Sequence, residues 1–202
     1  MSGTSLTTRD IHNAVAEWGR PDRVLPTWRG RQCWQFPADL WRYAEWCWEL
    51  APPFVVEVGV QEGGTSLFLA DVLDAIGKGV VIGVDVRPVD LEHSRIVPVW
   101  ADSVSEAAVE EVETVLMGRR GGLVLLDGSH ASDQVYRELD LYAPLADALV
   151  VEDTIMRWLP QYNDGPHVAL DRWLPEHPEW EVVADPVPGP TQHPGGWLRR
   201  RG

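Results

Sequence analysis

The sequence predicts an α/β protein built on a mostly parallel, seven-stranded sheet with helices on both faces and an antiparallel hairpin at its C-terminal edge. Short, continuous apolar segments alternate with segments of helical periodicity, which is typical of parallel strands buried on both sides. The last two apolar segments are joined by a loop rich in Pro and Gly, which favours an antiparallel edge hairpin.

The N-terminal part of the chain, residues 1–52, is predicted to form a cap of helix and loop over the carboxyl ends of the strands. Residues 8–18 predict a helix with Thr8 or Asp10 as its cap, and residues 20–37 predict a loop. Residues 37–52 predict a second helix, which ends at two prolines. Its expected buried face comprises apolar residues spaced three and four apart: Leu40, Trp41, Ala44, Cys47 and Trp48.

The α/β domain is predicted to occupy residues 53–202. Its strands are expected at 54–60, 79–86, 95–101, 122–127, 148–153, 180–185 and 195–200. Its helices are expected at 63–76, 103–117, 132–143 and 166–174. In such sheets ligands bind beyond the carboxyl ends of the strands, at the point where the strand order reverses.

Composition excludes several classes of protein. The formal net charge of −14 would repel nucleic acid. No apolar run approaches the roughly 20 residues that span a bilayer, and the N-terminus does not resemble a signal peptide. Two cysteines without a CxxC motif indicate neither a disulfide framework nor a zinc finger, so we expect a cytoplasmic protein.

Acidic residues stand at the ends of five predicted strands: Glu57 with Val58 and Gly59, Asp85, Asp102, Asp127, and Glu152 with Asp153. Each of them alone is consistent with a helix cap or a solvated turn. Five such ends on one rim of a parallel sheet, beside a glycine-rich turn, favour a ligand site instead.

The first of these strands leads into a glycine-rich turn with the spacing E-x-G-x-x-x-G-G, which is not the G-x-G-x-x-G dinucleotide fingerprint. Gly59 and Gly63 allow close approach of a ligand to the backbone, and Thr65 either caps the next helix or binds a ligand carboxylate. Asp85 is placed to bind a ribose. Asp102 and Ser103 lie either near an adenine or at a helix N-terminus as a cap.

Three further acids follow two strands that we expect to be neighbours. Asp127, Glu152 and Asp153 would then lie about 4.8 Å apart from strand to strand and repel one another unless a cation binds between them. Oxygen ligands favour Mg²⁺, Mn²⁺ or Ca²⁺. His130 follows Asp127 by three residues; it is either a general base or a structural histidine.

The chain resembles the cephalosporin hydroxylase family, which is related to macrocin O-methyltransferase. The resemblance covers about residues 27–201 and rests on PADLWRYAEW, VVEVGVQEGGTSLFLADVL, VLLDGSHASDQVYRELDLYAPL, VVEDT and PGGWLRR. It implies the Rossmann-like fold of class I methyltransferases, with residues 53–202 as the catalytic domain. It also implies S-adenosylmethionine as methyl donor and Mg²⁺ (or Mn²⁺) as metal. Members commonly carry D-S-D-H where this chain has D-G-S-H.

The resemblance also implies roles for individual residues. By position, Asp127, Glu152 and Asp153 match the metal ligands and His130 matches the general base. The donor site would comprise Glu57, Gly59, Gly63, Thr65, Asp85, Asp102, Ser103 and Asp127.

We therefore predict metal-dependent O-methylation of a hydroxylated small molecule in natural-product (antibiotic) biosynthesis, by a homo-oligomer that binds neither nucleic acid nor membrane. The alternatives are N-methylation, a nicotinamide-dependent oxidoreductase and a non-catalytic donor-binding protein. A non-haem iron site at His177, Glu179 and His193 is a further alternative. Five N-terminal tryptophans would either line the acceptor site or pack in the core or a subunit contact: Trp28, Trp34, Trp41, Trp46 and Trp48.

Overall fold

The computed structural model describes residues 7–20, 22, 25–183 and 189–202. A two-stranded hairpin, β1 (Thr27–Trp28) and β2 (Arg31–Gln32), precedes the main sheet. The main sheet comprises β3 (Val55–Val58), β4 (Val81–Asp85), β5 (Ile96–Trp100), β6 (Gly122–Leu126), β7 (Ala146–Val151), β8 (Trp180–Val182) and β9 (Trp197–Arg200). The helices are α1 (Thr8–Trp18), α2 (Pro37–Leu50), α3 (Gly64–Ile76), α4 (Glu106–Leu116), α5 (Ser132–Tyr142) and α6 (Pro166–Trp173).

The seven strands have the order β5-β4-β3-β6-β7-β9-β8. The strands from β5 to β7 are parallel, whereas β9 pairs antiparallel with both β7 and β8. The predicted α/β fold with an antiparallel C-terminal hairpin is therefore confirmed. The order reverses between β3 and β6, where Val58 pairs with Leu126, so the residues that follow these strands lie side by side.

Helices cover both faces of the sheet. One core layer joins Val56, Ile82 and their neighbours to Val112 of α4, Leu139 of α5 and Trp173 of α6. The other joins Val55, Leu123 and their neighbours to Trp46 of α2 and Leu69 of α3. Both faces of the central strands are thus buried, which explains their continuous apolar sequences.

The buried face of α2 differs from the predicted one. Leu40 and Cys47 are buried as expected, but Trp41 and Trp48 are 60% and 66% exposed. Tyr43 and Trp46 take the buried places, since both rings pack around Trp197 of β9. The prediction failed because aromatic residues occupy both sides of this helix, so periodicity did not fix which side faces the sheet.

Two helix starts also differ from expectation. Thr7 caps α1, and the Asp10 side chain completes the capping box from inside the helix. Ser105 caps α4, which leaves Ser103 buried and free for another role. Residues 184 and 185, the end of the predicted 180–185 strand, lie outside the described residues. Among the helices that the structure describes, none is long and apolar enough to cross a membrane.

Candidate active site

A cavity of about 290 Å³ opens at the carboxyl ends of β3, β4, β5 and β6. This is the side of the sheet on which the reversal of strand order predicts a ligand. Five residues of the predicted donor site line it: Gly59, Asp85, Asp102, Ser103 and Asp127. Gln134 of α5 lines the same cavity, although it was absent from the prediction.

Gly59 lets the ends of β3 and β6 meet at the cavity floor. Its φ of 93° lies in the left-handed region, and a Cβ atom there would overlap the carbonyl oxygen of Asp127. Asp127 also donates its backbone N–H to the carbonyl oxygen of Val58 at 2.8 Å. Glycine is therefore required sterically at this position.

Asp85 organises the glycine-rich turn from the neighbouring strand. Its Oδ2 accepts the backbone N–H groups of Val60 and Gln61 at 2.9 and 3.0 Å, and its Oδ1 accepts that of Arg87 at 2.9 Å. A carboxylate has about four lone-pair directions, so a ribose hydroxyl can still donate to Asp85 at the cavity wall.

Three residues predicted for the donor site, Glu57, Gly63 and Thr65, do not line this cavity. Glu57 is buried and accepts a hydrogen bond from the Ser66 hydroxyl, and burial raises its pKa to about 8. Thr65 is buried beside the Cys33 thiol, and Gly63 lies against the side chain of Leu91. Their contacts in the structure tie α3 to β3 and to the N-terminal hairpin.

A second polar cluster marks the far end of the cavity. The Ser103 hydroxyl donates to Oε1 of buried Glu138 at 2.5 Å. The Gln134 side-chain amide donates to Asp102 Oδ1 at 3.2 Å and to Ser103 Oγ at 3.1 Å. Burial raises the pKa of Glu138 to about 7. The cluster therefore fixes the rotamers of the residues expected near an adenine.

Asp127, His130 and Asp153 converge beside the cavity. His130 Nε2 lies 3.4 Å from Asp127 Oδ1 and 3.3 Å from Asp153 Oδ2. One ligand atom from each of the three residues lies within 4.8 Å of the others. Burial raises the pKa of Asp127 well above its usual range, and the negative charge of Asp153 raises it further. Two crowded carboxylates and an imidazole fit a hard divalent cation, which would relieve this repulsion.

Glu152 lies next to this group but has different partners. It is 1% exposed, accepts the Tyr43 hydroxyl at 2.8 Å and accepts the side-chain amide of Gln35. The same Gln35 nitrogen donates to Asp127 Oδ2 at 3.1 Å. The three predicted ligands are therefore adjacent, but Asp127 and Asp153 face His130 whereas Glu152 faces α2 and its preceding loop. Burial raises the pKa of Glu152, and the charge of Asp127 adds to the effect.

The structure reveals three polar residues that sequence reasoning did not assign to this site: Gln35, Tyr43 and His193. All three are buried and hydrogen-bonded to one another around Glu152. Burial lowers the pKa of His193 well below its usual value, so the ring is neutral. Two sequence features could have indicated Gln35 and Tyr43: a Gln between aromatic residues in WQF, and a Tyr on an apolar helix.

His177, Glu179 and His193, the residues of the alternative iron site, do not come together. His177 stacks on Trp173 and lies 3.8 Å from Asp140, at the opposite end of the C-terminal hairpin from the acids. His193 bonds to the backbone N–H of Asp153. The two histidines thus belong to separate environments, so a facial triad with Glu179 is excluded by their positions.

Comparison with known proteins identifies the family. The family model described as "Rhamnosyl O-methyltransferase/CmcI" matches residues 24–201. A rhamnosyl O-methyltransferase of Mycobacterium leprae is 32% identical over 190 residues, covering 87% of this chain and 83% of the relative. A rhamnosyl O-methyltransferase of Mycobacterium bovis BCG is 29% identical, covering 86% and 78%.

Solved structures share the fold. CmcI with Mg and S-adenosylmethionine superposes with a TM-score of 0.65 at 22% identity, covering 99% of this chain and 90% of that one. TomG from Streptomyces achromogenes, an O-methyltransferase in complex with S-adenosylmethionine, superposes with a TM-score of 0.54 at 13% identity, covering 96% and 89%. The switch-point cavity and these matches lead to one conclusion. The chain belongs to the rhamnosyl O-methyltransferase/CmcI family and is an S-adenosylmethionine-dependent O-methyltransferase.

Proposed function

We propose that this methyltransferase depends on a divalent cation and methylates a hydroxyl group of a sugar-bearing small molecule in natural-product, for example antibiotic, biosynthesis. The observation that carries the proposal is the convergence of Asp127, His130 and Asp153 beside the cavity at the strand switch point. These two carboxylates and the imidazole can bind a cation or a proton. They lie next to the proposed donor cavity, where an acceptor hydroxyl would meet the methyl group.

In the proposed reaction an acceptor oxygen attacks the methyl group of S-adenosylmethionine in line. The new bond is O–CH₃, the bond that breaks is S–CH₃, and S-adenosylhomocysteine leaves. The His130 imidazole accepts the hydroxyl proton. Because the His130 ring is 39% exposed while both flanking carboxylates are largely buried, an acceptor can reach the imidazole from the solvent side. Holding oxygen and methyl group in line is worth on the order of 7–11 kcal/mol in favourable cases.

Mg²⁺ or Mn²⁺, when bound, would supply the positive charge that favours the alkoxide form of the acceptor hydroxyl. Asp127 and Asp153 would hold the ion, and Glu152 would complete the acidic set from the adjacent position. Supporting this assignment are the raised pKa values of Asp127 and Glu152, since crowded buried carboxyls gain stability when a cation neutralises them.

The proposed acceptor is a deoxyhexose with neighbouring hydroxyl groups, carried on a natural product. The mycobacterial relatives are named rhamnosyl O-methyltransferases, which motivates this class. The half-exposed Trp34 ring, on the segment that supplies Gln35, offers an apolar surface on which a sugar can stack.

We also propose that residues 1–52 act as a cap and residues 53–202 as the catalytic domain. In support, Gln35 and Tyr43 of the first part reach the carboxylates of the second. The cap would thereby contribute to the site chemically as well as sterically.

Calorimetry of the purified protein with S-adenosylmethionine, with and without Mg²⁺, tests the first requirement. We expect micromolar binding of the donor and of S-adenosylhomocysteine. A screen of methyl rhamnoside and related deoxyhexosides, read by mass spectrometry for a gain of one methyl group, then tests the acceptor class. Absence of donor binding would refute the proposed reaction.

The metal requirement is tested with EDTA and with Asp153→Asn. We expect both to lower turnover by at least tenfold while donor affinity stays within a few-fold of wild type, because Asp153 lies outside the donor cavity. An exposed acid near the opposite end of β7, Asp147→Asn, serves as the matched control. Unchanged turnover in EDTA and in Asp153→Asn would show that the metal is not used.

A further inference from the structure

We propose that His193, acting through Tyr43 and Gln35, is the positioning residue that presents Glu152 and Asp153 to the cation. The inference rests on the proposed metal dependence and deepens it. It assigns a role to three buried residues from two distant parts of the chain, the cap and the loop before β9.

The His193 ring has a single hydrogen-bonding arrangement. Its Nδ1 accepts the backbone N–H of Asp153 at 2.9 Å, so the proton of the neutral ring is on Nε2. That nitrogen lies 2.8 Å from the Tyr43 oxygen and 3.0 Å from Gln35 Oε1. The side chain is fully buried, so no water competes for these contacts.

Tyr43 and Gln35 connect the His193 ring to the acids through hydrogen bonds. Because Tyr43 accepts from His193, its own hydroxyl proton is directed to Glu152 Oε1 at 2.8 Å. The Gln35 carbonyl oxygen accepts from the His193 ring, which turns its amide nitrogen towards the other oxygen of Glu152 and towards Asp127. Each Glu152 oxygen therefore accepts a hydrogen bond from a cap side chain, which fixes the orientation of the carboxyl group.

A buried ion pair on α2 holds the loop that carries His193. Arg42 donates to the carbonyl oxygens of Gly189 at 3.0 Å and Pro190 at 3.1 Å, and it pairs with Asp39 at 3.1 Å. Asp39 in turn accepts the Thr191 hydroxyl at 2.6 Å and the Gln192 backbone N–H at 2.9 Å. Buried ion pairs contribute little net stability, whereas they specify geometry where a site requires it. Here the ion pair fixes the position of the loop that carries His193.

The backbone of Asp153 explains why this geometry matters for cation binding. Its φ of 54° lies in the left-handed region, which is unfavourable for a residue with a side chain. The hydrogen bond from its N–H to His193 holds it there, and in that conformation its carboxylate points to His130. Loss of the His193 acceptor would remove this buried hydrogen bond and favour a backbone change that turns the carboxylate away.

Mn²⁺ binding, read by electron paramagnetic resonance of the free ion, tests the inference without an acceptor. The variants are Tyr43→Phe, which keeps the ring but removes the hydroxyl, and His193→Ala. Conserved outer partners of metal ligands typically affect metal affinity by about 10–100-fold. We expect Tyr43→Phe to weaken Mn²⁺ binding about tenfold and His193→Ala more strongly, with donor affinity in metal-free buffer unchanged.

Matched controls separate positioning from general stability. Tyr136→Phe removes a hydroxyl that bonds to Glu176, remote from the acids, and should bind Mn²⁺ as wild type does. His193→Asn retains a side-chain acceptor near the position of Nδ1 and should recover part of the affinity lost in His193→Ala. Far-ultraviolet circular dichroism identifies any variant that fails to fold, in which case Tyr43→Phe carries the test.

The outcomes distinguish this inference from the proposed function. Mn²⁺ affinities of Tyr43→Phe and His193→Ala within twofold of wild type would overturn the positioning role and leave metal dependence intact. A wild-type protein that binds no Mn²⁺ would overturn both. Weakened binding in Tyr136→Phe to the same extent as in Tyr43→Phe would also overturn the inference.

Discussion

Two carboxyl groups near the cavity are buried against hydroxyl groups. Glu57 and Glu138 each accept a hydroxyl hydrogen bond and have pKa values raised to about 8 and about 7. By contrast, Asp85 accepts three backbone N–H groups. One hydroxyl hydrogen bond does not offset the desolvation of a buried charge, so burial keeps the pKa of both glutamates raised. Acidic residues near the cavity therefore differ in their hydrogen-bond donors.

Glu57 provides a pH-dependent prediction. Its pKa is about 8 when folded and near the ordinary 4.5 when unfolded. Its contribution to stability is thus fully present below 4.5 and is lost as the pH rises towards 8, by ~1.4 kcal/mol per pH unit at most. We expect Glu57→Gln to be more stable than wild type at pH 9 and to lose that advantage at pH 5, as measured by urea unfolding.

An exposed substitution, Glu110→Gln, controls for the change in net charge in the Glu57 experiment. Its stability difference from wild type should vary little across the same pH range. Parallel pH profiles for Glu57→Gln and wild type would show that Glu57 is not destabilised by ionisation in the folded protein.

His130 provides a prediction on turnover. General bases contribute about 10²–10⁴-fold, so His130→Ala should lower kcat by at least 100-fold. Donor affinity should not change, because His130 does not line the donor cavity. The measurement needs an acceptor that the wild type methylates. A near-full kcat of His130→Ala on that acceptor would contradict the assignment of His130 as the general base.

At the scale of elements, the turn between β3 and α3 decides whether the donor cavity forms. A Cβ atom at Gly59 would overlap Asp127, which forces β3 and β6 apart at their ends. We expect Gly59→Ala to lower donor affinity by more than tenfold or to prevent folding. Calorimetry with S-adenosylhomocysteine, after a circular dichroism check, measures this.

Gly77→Ala is the matched control for Gly59→Ala. Gly77 also has a positive φ, 85°, but a Cβ atom there would meet nothing within 4 Å. The expected cost is about 1 kcal/mol of stability from backbone conformation alone, with donor affinity unchanged. Equal donor affinity in both alanine variants would show that the close approach of β3 to β6 is not needed for binding.

At the scale of the whole molecule, the outer face of α2 is exposed and aromatic. Trp41 and Trp48 lie two helical turns apart, on the side opposite Tyr43 and Trp46. Single exposed apolar residues are common, but two large rings on one helix face suit contact with a second copy of this chain. We retain the expectation of a homo-oligomer on that basis.

Sedimentation velocity of wild type and of the double variant Trp41→Ser, Trp48→Ser tests this contact. We expect the wild type to sediment as an oligomer and the double variant as a monomer that still binds S-adenosylmethionine, because neither ring lines the donor cavity. A monomeric wild type would refute the homo-oligomer, and an unchanged oligomer would place the contact elsewhere.

The order of the main elements could be read from the sequence because continuous apolar strands and periodic helices leave few topologies. Five residues of the predicted donor site line the cavity for the same reason: they lie at the ends of neighbouring parallel strands, which meet at one edge. Glu57 and Thr65 carried the same motif signal but are buried away from the cavity. Glu57 lies within β3, where alternate side chains point to opposite faces of the sheet, and Thr65 lies in the first turn of α3.

The sequence by itself determined the α/β fold, the position of the cavity at the strand switch point and the presence of acids with a histidine beside it. The tertiary structure alone decided which carboxylates face His130 and which face the cap. Glu152 and Asp153 are neighbours in sequence, yet they diverge because Asp153 adopts a left-handed backbone held by His193, 40 residues away. Local patterns record where helices and strands lie along the chain, whereas contacts between distant segments depend on how the whole chain packs.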